Sequence, residues 1–163
     1  MKRFAMFTAL VAHVAIAQAA PETFVIDASQ TASEFSYRYL GISNQTHRFD
    51  RISGKVVLDL AAKTGSADVV IDATSVNTGH TLLNEKIQDK DFFDSARYPA
   101  ITFKSGRMTL DGEQPSLVGD LTIKGVTRPV TLAITQFKCE SDPTFKMDTC
   151  GAQASVTIKR SDF

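Results

Sequence analysis

The sequence predicts an all-β fold of antiparallel strands with one short helix. Apolar and polar residues alternate with a period of two in segment after segment, which is typical of strands with one buried face. Turn signals such as Gly41, Gly54 and Asp111-Gly112 separate these segments. Only the segment between residues 79 and 95 departs from that period. Many short antiparallel strands favour a sandwich or an up-and-down barrel, and periodicity alone does not choose between them.

Length and charge limit the class of protein. The chain has 163 residues, 43% of them hydrophobic, which suffices for one domain with a sizeable core. Eighteen basic residues balance eighteen acidic ones, so no net charge attracts nucleic acid or an anionic membrane surface. We therefore predict no nucleic-acid partner and no stable membrane insertion. The sequence leaves both a monomer and a homodimer open.

The N-terminal segment has the pattern of a secretion signal. Lys2 and Arg3 precede an apolar run over residues 4–16, and Ala17-Gln18-Ala19 matches an A-x-A cleavage pattern. We therefore predict a signal peptide over residues 1–19, followed by a single domain over residues 20–163. An uncleaved membrane anchor is the alternative, but the run is shorter than the ~20 residues that a spanning helix needs.

Alternating segments account for most of the predicted mature chain. The clearest is a hairpin in which Leu121 and Ile123 alternate with polar residues before a turn at Gly125, and Val130 and Leu132 continue the pattern after it. Segments of the same kind cover residues 24–26, 35–39, 56–60, 69–73, 101–103, 108–110 and 154–158. A barrel of about eight such strands either fills its interior with side chains or holds one small ligand, and this choice decides the function.

The segment with the changed period predicts a short helix. Thr81 is a candidate N-cap, and Leu83 and Ile87, four residues apart, share one helical face. Phe92 and Phe93 follow the helix. Ordinary packing where the helix covers the sheet is the favoured explanation of these aromatic residues, and ligand contact is the alternative.

Cys139 and Cys150 are the only cysteines, and they flank a polar loop between two strand-like segments. In an exported protein, we expect such a pair to form a disulfide. Zinc binding would need about four ligands, and no histidine lies near either thiol. A redox-active pair would more often have the C-x-x-C spacing. The predicted disulfide is therefore structural.

Several segments, taken in order, carry a resemblance to a known family. They include Phe24-Val25-Ile26-Asp27, Gly54-Lys55-Val56, Ile71-Asp72-Ala73-Thr74-Ser75-Val76-Asn77-Thr78-Gly79, Asp91-Phe92-Phe93-Asp94, Gly119-Asp120-Leu121-Thr122-Ile123-Lys124-Gly125-Val126-Thr127 and Ile158-Lys159-Arg160-Ser161-Asp162-Phe163. Each is a weak signal alone, but their joint order is specific. From about Phe24 to Phe163, the chain resembles the YceI family of secreted lipid-binding proteins.

The resemblance implies an extended antiparallel β-barrel of lipocalin-like shape with one short helix, located in the periplasm. It also implies an apolar tunnel that holds a polyisoprenoid chain such as a quinone tail. The implied partner is therefore an apolar small-molecule lipid, and no cofactor is expected apart from a bound isoprenoid lipid or quinone. The family normally continues past the Arg-Ser-Asp-Phe segment with a glycine and at least one more strand. The resemblance therefore raises the expectation that this sequence lacks the last strand of the barrel.

The candidate lipid-binding residues are apolar and aromatic side chains on the predicted strands and after the helix. If they leave a tube, each enclosed unit of ~5 carbons gains a few kcal/mol, at ~0.8 kcal/mol per methylene-sized group. For any one of them, plain core packing is an equally good explanation. The candidates are Phe35, Tyr37, Tyr39, Val69, Ile71, Phe92, Phe93, Ile101, Phe103, Leu121, Ile123, Val130 and Leu132.

The sequence lacks the common motifs of catalysis. His47 and His80 are the histidines of the predicted mature chain, and neither belongs to an H-E-x-x-H or similar ligand spacing. The sequence contains no G-x-S-x-G elbow and no phosphate-binding glycine loop. We expect His47 to be a solvated strand or turn residue, and we predict no catalytic site, no metal site and no enzymatic activity.

Three functions remain open at this point. The favoured one is a periplasmic carrier or store for a long-chain apolar lipid, which predicts a ligand that organic solvent extracts from the purified protein. The second is a structural or protein-interaction barrel with a filled core, which predicts a closed interior and an exposed apolar patch. The third is a hydrolase or isomerase, which requires a pocket with convergent titratable groups of displaced pKa.

Overall fold

The computed structural model describes residues 20–144 and 146–163, so the predicted signal peptide lies outside the described residues. The described part contains ten β-strands, one α-helix and two short 3-10 turns, at Ala73–Ser75 and Arg160–Asp162. The strands are β1 (Glu22–Val25), β2 (Ser33–Tyr39), β3 (Ser43–Phe49), β4 (Ile52–Asp59), β5 (Thr64–Asp72), β6 (Val76–Asn77), β7 (Ala100–Thr109), β8 (Ser116–Ile123), β9 (Val126–Asp142) and β10 (Met147–Ser155). The helix is α1 (Thr81–Gln88).

All strand pairs of the described residues are antiparallel, and they form two sheets. Seven strands pair in the order β1-β4-β5-β7-β8-β9-β10, and three pair in the order β2-β3-β6. The result is a nearly closed, barrel-like arrangement with a single helix. The predicted all-β antiparallel barrel is therefore confirmed.

β7 corrects one strand boundary. The sequence suggested separate strands before and after Gly106, but β7 runs through that residue without a break. Its register against β8 shifts between Ser105 and Arg107, which is the signature of a β-bulge. Gly106 is therefore an extra residue within a strand. Gly54, expected at a turn between strands, likewise lies inside β4.

β10 corrects a second boundary. The predicted strand over residues 154–158 is wrong beyond Ser155, because the last register pair with β9 joins Ser155 to Ala133. Residues 156–159, which follow β10, belong to no strand pair among the described residues. Arg128, on the part of β9 that β10 does not pair with, instead donates from Nε to the backbone oxygen of Asp162 at 3.1 Å.

The helix α1 closes one end of the arrangement. Ile87 points into the protein and is only 1% exposed. His80, and not Thr81, occupies the N-cap position, because His80 keeps an extended backbone (φ −140°, ψ 119°) and Thr81 is the first helical residue. The preceding loop is held by Thr78, whose N–H and hydroxyl both donate to Oδ1 of Asn84 at 2.8 Å. No helix in the described part of the chain is long and apolar enough to cross a membrane.

Two hydrophobic clusters form the core. The sheet cluster lies within the seven-stranded sheet, and its buried members are Leu58, Ala67, Phe103, Met108, Leu117 and Ile134. The end cluster lies where α1 and the three-stranded sheet meet β7, and its buried members are Phe49, Ala73, Val76, Ile87 and Ile101. Leu121 on β8 packs against both clusters and therefore links them.

The predicted disulfide is confirmed. Cys139 on β9 and Cys150 on β10 lie directly opposite each other in the antiparallel register and are bonded. Both cysteines also pack against the sheet cluster. The disulfide therefore joins β9 to β10 near the turn of their hairpin, and its two cysteines pack against the sheet.

Removing this disulfide is expected to lower the free energy of unfolding by about 2–3 kcal/mol, because the unfolded chain regains the freedom of a short loop. The double variant Cys139→Ser/Cys150→Ser should show this loss in urea-induced unfolding followed by circular dichroism. The wild type measured under a strong reductant is the matched control and should unfold at the same urea concentration as the variant. A loss well below about 1 kcal/mol would mean that the hairpin ladder alone holds these strands together.

Candidate functional site

The inward face of the seven-stranded sheet is apolar, and its outward face is polar. Val69 on β5 lies opposite Phe103 on β7, which in turn lies opposite Leu121 on β8. The neighbouring outward positions hold Asp68 and Lys104, which also lie opposite each other. This separation follows from the two-residue period of a strand, because successive side chains point to opposite faces. The sequence pattern therefore places an uninterrupted apolar face across β5, β7 and β8.

Part of this inward face is buried, and part is only half-buried. Ile101 and Phe103 on β7 are buried in the two clusters, but their register partners on β5 and β8 keep part of their surface exposed. A half-buried apolar side chain can still gain from contact with an apolar partner, because exposed apolar area remains to be covered. The half-buried candidates on this face are Val69, Ile71, Leu121, Ile123, Val130 and Leu132.

An aromatic group fills the helix end of the interior. The ring centroids of Phe35 and Phe49 are 5.2 Å apart, and Phe93 lies 5.4 Å from each of them in an edge-to-face arrangement. Such geometry is favourable for aromatic pairs. Phe35 and Phe93, both candidate wall residues, therefore belong to the packing that closes this end.

Three candidate residues lie apart from these groups. Tyr37 and Tyr39 lie further along β2, toward its hairpin with β3, and Tyr39 is 54% exposed. Phe92 lies beside two cations, with Nζ of Lys86 at 5.7 Å and the guanidinium carbon of Arg160 at 4.5 Å from its ring centroid. The structure therefore does not bring Phe92 together with the apolar face of the sheet.

Two surface depressions lie elsewhere on the molecule. One, of about 480 Å³, lies between Pro21 and the neighbouring ends of β4, β5 and β7. The other, of about 380 Å³, follows the β9–β10 hairpin beside Glu140 and Pro143. No candidate wall residue lines either depression.

Comparison with known proteins assigns the family. The family model described as YceI-like domain matches residues 24–163. The chain belongs to the YceI-like domain family. The resemblance read from the sequence is thereby confirmed.

Relatives of this YceI-like chain occur in several bacteria. Protein YceI of Escherichia coli O6:H1 is 36% identical over 132 residues, which cover 79% of this chain and 68% of the relative. A UPF0312 protein of Pseudomonas aeruginosa is 32% identical over 133 residues, with coverage of 80% and 68%.

Solved structures show the same fold as this YceI-like chain. The crystal structure of Burkholderia cenocepacia BcnA superposes with a TM-score of 0.71 and 29% identity, covering 85% of this chain and 83% of that one. The Campylobacter jejuni YCEI protein gives a TM-score of 0.69 and 30% identity, covering 85% and 81%. The architecture described above is therefore that of solved YceI proteins.

The burial of His47 in this YceI-like domain contradicts the expectation from the sequence. It was expected to be solvated, but it is only 7% exposed. Its imidazole lies 5.7 Å from the ring of Phe35 and 5.8 Å from that of Tyr37, measured between centroids. Its Nε2 atom has no hydrogen-bond partner among the described residues. A buried polar group without a hydrogen-bond partner destabilises the folded protein by about 1–3 kcal/mol. The burial of His47 therefore calls for an explanation.

The signal that could have located His47 is weak. Ser43, Gln45, His47 and Phe49 recur with the strand period, but only Phe49 is a large apolar residue. The strand β3 was therefore not predicted. The neighbouring β2, with Phe35 and tyrosines at the same period, supplies the apolar surroundings that bury His47.

Two carboxyl groups with displaced pKa values in this YceI-like domain, Asp72 and Asp27, are held by local hydrogen bonds. Burial of Asp72 raises its pKa, but hydrogen bonds from Thr74 and from the Arg51 guanidinium outweigh that effect and leave the pKa below its usual value. The side chain and backbone N–H of Ser29 lower the pKa of Asp27. Both are ionised carboxylates that stabilise turns, unlike the protonated carboxyl that acid catalysis uses.

Metal-ligand clusters are not found in the described part of this domain. Among those residues, no three His, Cys, Asp or Glu side chains are grouped so that they could hold a metal ion.

Proposed function

We propose that this protein binds a long-chain isoprenoid lipid of the quinone-tail type and serves as a periplasmic carrier or store. The observation that supports this most directly is the set of half-buried apolar side chains that β5, β8 and β9 carry on the inward face. An apolar tail laid along that face would cover exposed apolar area at about 25 cal/mol per Å². Membership of the YceI-like family supports the same ligand class, since the sequence resemblance to that family implied a polyisoprenoid ligand.

The proposed wall consists of the candidates on the inward face, with the aromatic group at the helix end as its floor. Tyr37 and Tyr39 extend the wall toward the β2–β3 hairpin, where the strands are more exposed. A tail could therefore enter from the hairpin side and stop against Phe35 and Phe93. Phe92 is the candidate with the weakest support, because it lies between Lys86 and Arg160.

Export is part of this proposal. A signal peptide over residues 1–19 would deliver the domain over residues 20–163 to the periplasm, and a disulfide between Cys139 and Cys150 suits such an oxidising compartment. In that setting a carrier would shelter the tail from water between membranes.

The proposal is tested by extracting the purified, full-length protein with organic solvent and analysing the extract by mass spectrometry. We expect an isoprenoid lipid at a substantial fraction of the protein concentration. A sample that has lost its ligand should take up a long-tailed quinone when it is offered. An empty extract together with no quinone uptake would favour the structural or protein-interaction barrel instead.

A further inference from the structure

The inward face of β3 differs from that of every strand described above as part of the wall, because it is polar. Ser43, Gln45 and His47 take three of the four inward positions on this strand, and the fourth holds Phe49 of the end cluster. In the register with β2, His47 lies opposite Phe35, and Gln45 lies opposite Tyr37. A row of hydrogen-bonding side chains therefore faces the aromatic residues of β2.

Within this row, His47 stands at the boundary between the closed and the open parts of the interior. On one side it neighbours Phe35, which packs with Phe49 and Phe93 in the aromatic group at the helix end. On the other side lies Tyr37, toward the more exposed hairpin end. A ligand that enters from the hairpin side would bring its leading end to the imidazole.

The chemistry of this position suits an uncharged oxygen. Nε2 of His47 has no hydrogen-bond partner in residues 20–144 and 146–163, and a neutral imidazole nitrogen either donates or accepts according to its tautomer. The charged residues of β2 and β3, which are Glu34, Arg38 and Arg48, take the alternate positions and are exposed. No fixed charge of these two strands therefore faces the imidazole, and a charged head group would have no counter-ion on them.

We propose that Nε2 of His47 forms a hydrogen bond with the uncharged oxygen of the head group of the bound isoprenoid, a quinone carbonyl or a prenol hydroxyl. This inference rests on the proposed function, since it presupposes that the interior holds such a lipid. His47 then selects isoprenoids that carry an oxygen over isoprenoid hydrocarbons. The aromatic rings on either side hold the imidazole in place and exclude water from the hydrogen bond.

The test compares three probes on the full chain: a long-tailed quinone, a prenol of similar tail length, and squalene, an isoprenoid hydrocarbon without oxygen. In His47→Leu, binding of the quinone or the prenol should weaken about 5- to 30-fold, the range expected when one buried hydrogen bond is lost. Squalene binding should not weaken, because leucine offers the hydrocarbon an apolar contact. In His47→Gln, which keeps a hydrogen-bonding side chain, much of the lost affinity should return. The oxygen-bearing probe that responds identifies the head group.

Equal weakening of all three probes in His47→Leu would overturn the inference while leaving the proposed function intact, because His47 would then act only through packing. Failure of the wild type to bind any probe would contradict the proposed function itself. If the variants do not fold, wild-type protein labelled with ¹⁵N-histidine supplies the answer. The Nε2 signal of His47 should shift with an oxygen-bearing probe and much less with squalene, with the exposed His80 as internal reference. Equal shifts, or none, would overturn the inference.

Discussion

Replacing Gly54 by alanine is expected to destabilise the fold by about 2–4 kcal/mol, a large effect for one methyl group. A Cβ atom at this position would lie 2.1 Å from the backbone oxygen of Asp68 and 3.0 Å from Cα of Val69. Both atoms belong to the backbone of β5, so no side-chain rotation relieves the contact. Gly54 also has φ +148°, a conformation that residues with a side chain rarely adopt.

This sensitivity arises because the backbone of β4 at Gly54 is bonded on both sides. Gly54 is paired with Val69 in the ladder, and its backbone oxygen accepts a hydrogen bond from the N–H of Ile26 at 3.0 Å. Moving Gly54 away from β5 would therefore disturb both sides of the strand. A glycine at such a point lets two backbones approach closely and lets a sheet bend, which a barrel requires.

Gly151→Ala is the matched control. Gly151 also lies in a strand, β10, but a Cβ atom there meets no other atom within 4 Å, and its φ is not in the positive region. We expect its free energy of unfolding to change by less than about 0.5 kcal/mol. Urea-induced unfolding of both variants measures the difference. Similar stability of the two variants would mean that β4 and β5 can separate at Gly54 at little cost.

The strands that the sequence predicts well are those with one apolar face. In β8, Leu121 alternates with Asp120 and Thr122, so the local pattern alone marks both the strand and its inward face. In β5 the pattern is nearly as clear, with Asp68 and Asp72 on the outward face and only Val70 departing from it. In β3 the inward residues are polar, and their burial comes from Phe35 and Tyr37 on another strand. Local periodicity cannot report a burial that depends on pairing.

The glycine at position 106 illustrates a second limit. A glycine between two alternating segments fits either a turn or a bulge, because in both the chain leaves the regular ladder. Only the register of β7 against β8, which shifts between Ser105 and Arg107, distinguishes the two. The difference decides whether Ile101 and Met108 lie on one strand or on two, and hence how long the inward face of β7 is.

The candidate site shows the same division between local and long-range information. Alternation predicts that Val130 and Leu132 face inward, but whether they are covered depends on strands distant in sequence. Phe92 was a candidate because it is aromatic and follows the helix, yet its ring lies between Lys86 and Arg160. Since Arg160 reaches this loop from the other end of the chain, no local pattern around Phe92 could have predicted the contact.

Val130→Trp is expected to weaken binding of a long-tailed quinone by about 10- to 100-fold, which corresponds to about 1.4–2.8 kcal/mol. Val130 is half-buried on the inward face of β9, and its register partner on β8 is Gly119, which has no side chain. An indole here can extend over Gly119 into the space proposed for the tail. Because the position is not fully packed, the loss of stability should be smaller than that of overpacking a dense core.

The matched control is Thr131→Trp, which places the same indole on the exposed outer face of the same strand. The natural chain contains no tryptophan, so each variant carries a single indole whose emission reports its surroundings. We expect emission at shorter wavelength from Val130→Trp than from Thr131→Trp, and quinone binding at the wild-type level in Thr131→Trp. Binding is measured as quinone retained with the protein after gel filtration over a range of quinone concentrations. If the Val130→Trp protein folds, its indole emission is shielded and its quinone binding is undiminished, the tail must lie away from β9. An indole and an isoprenoid chain cannot share the space above Gly119.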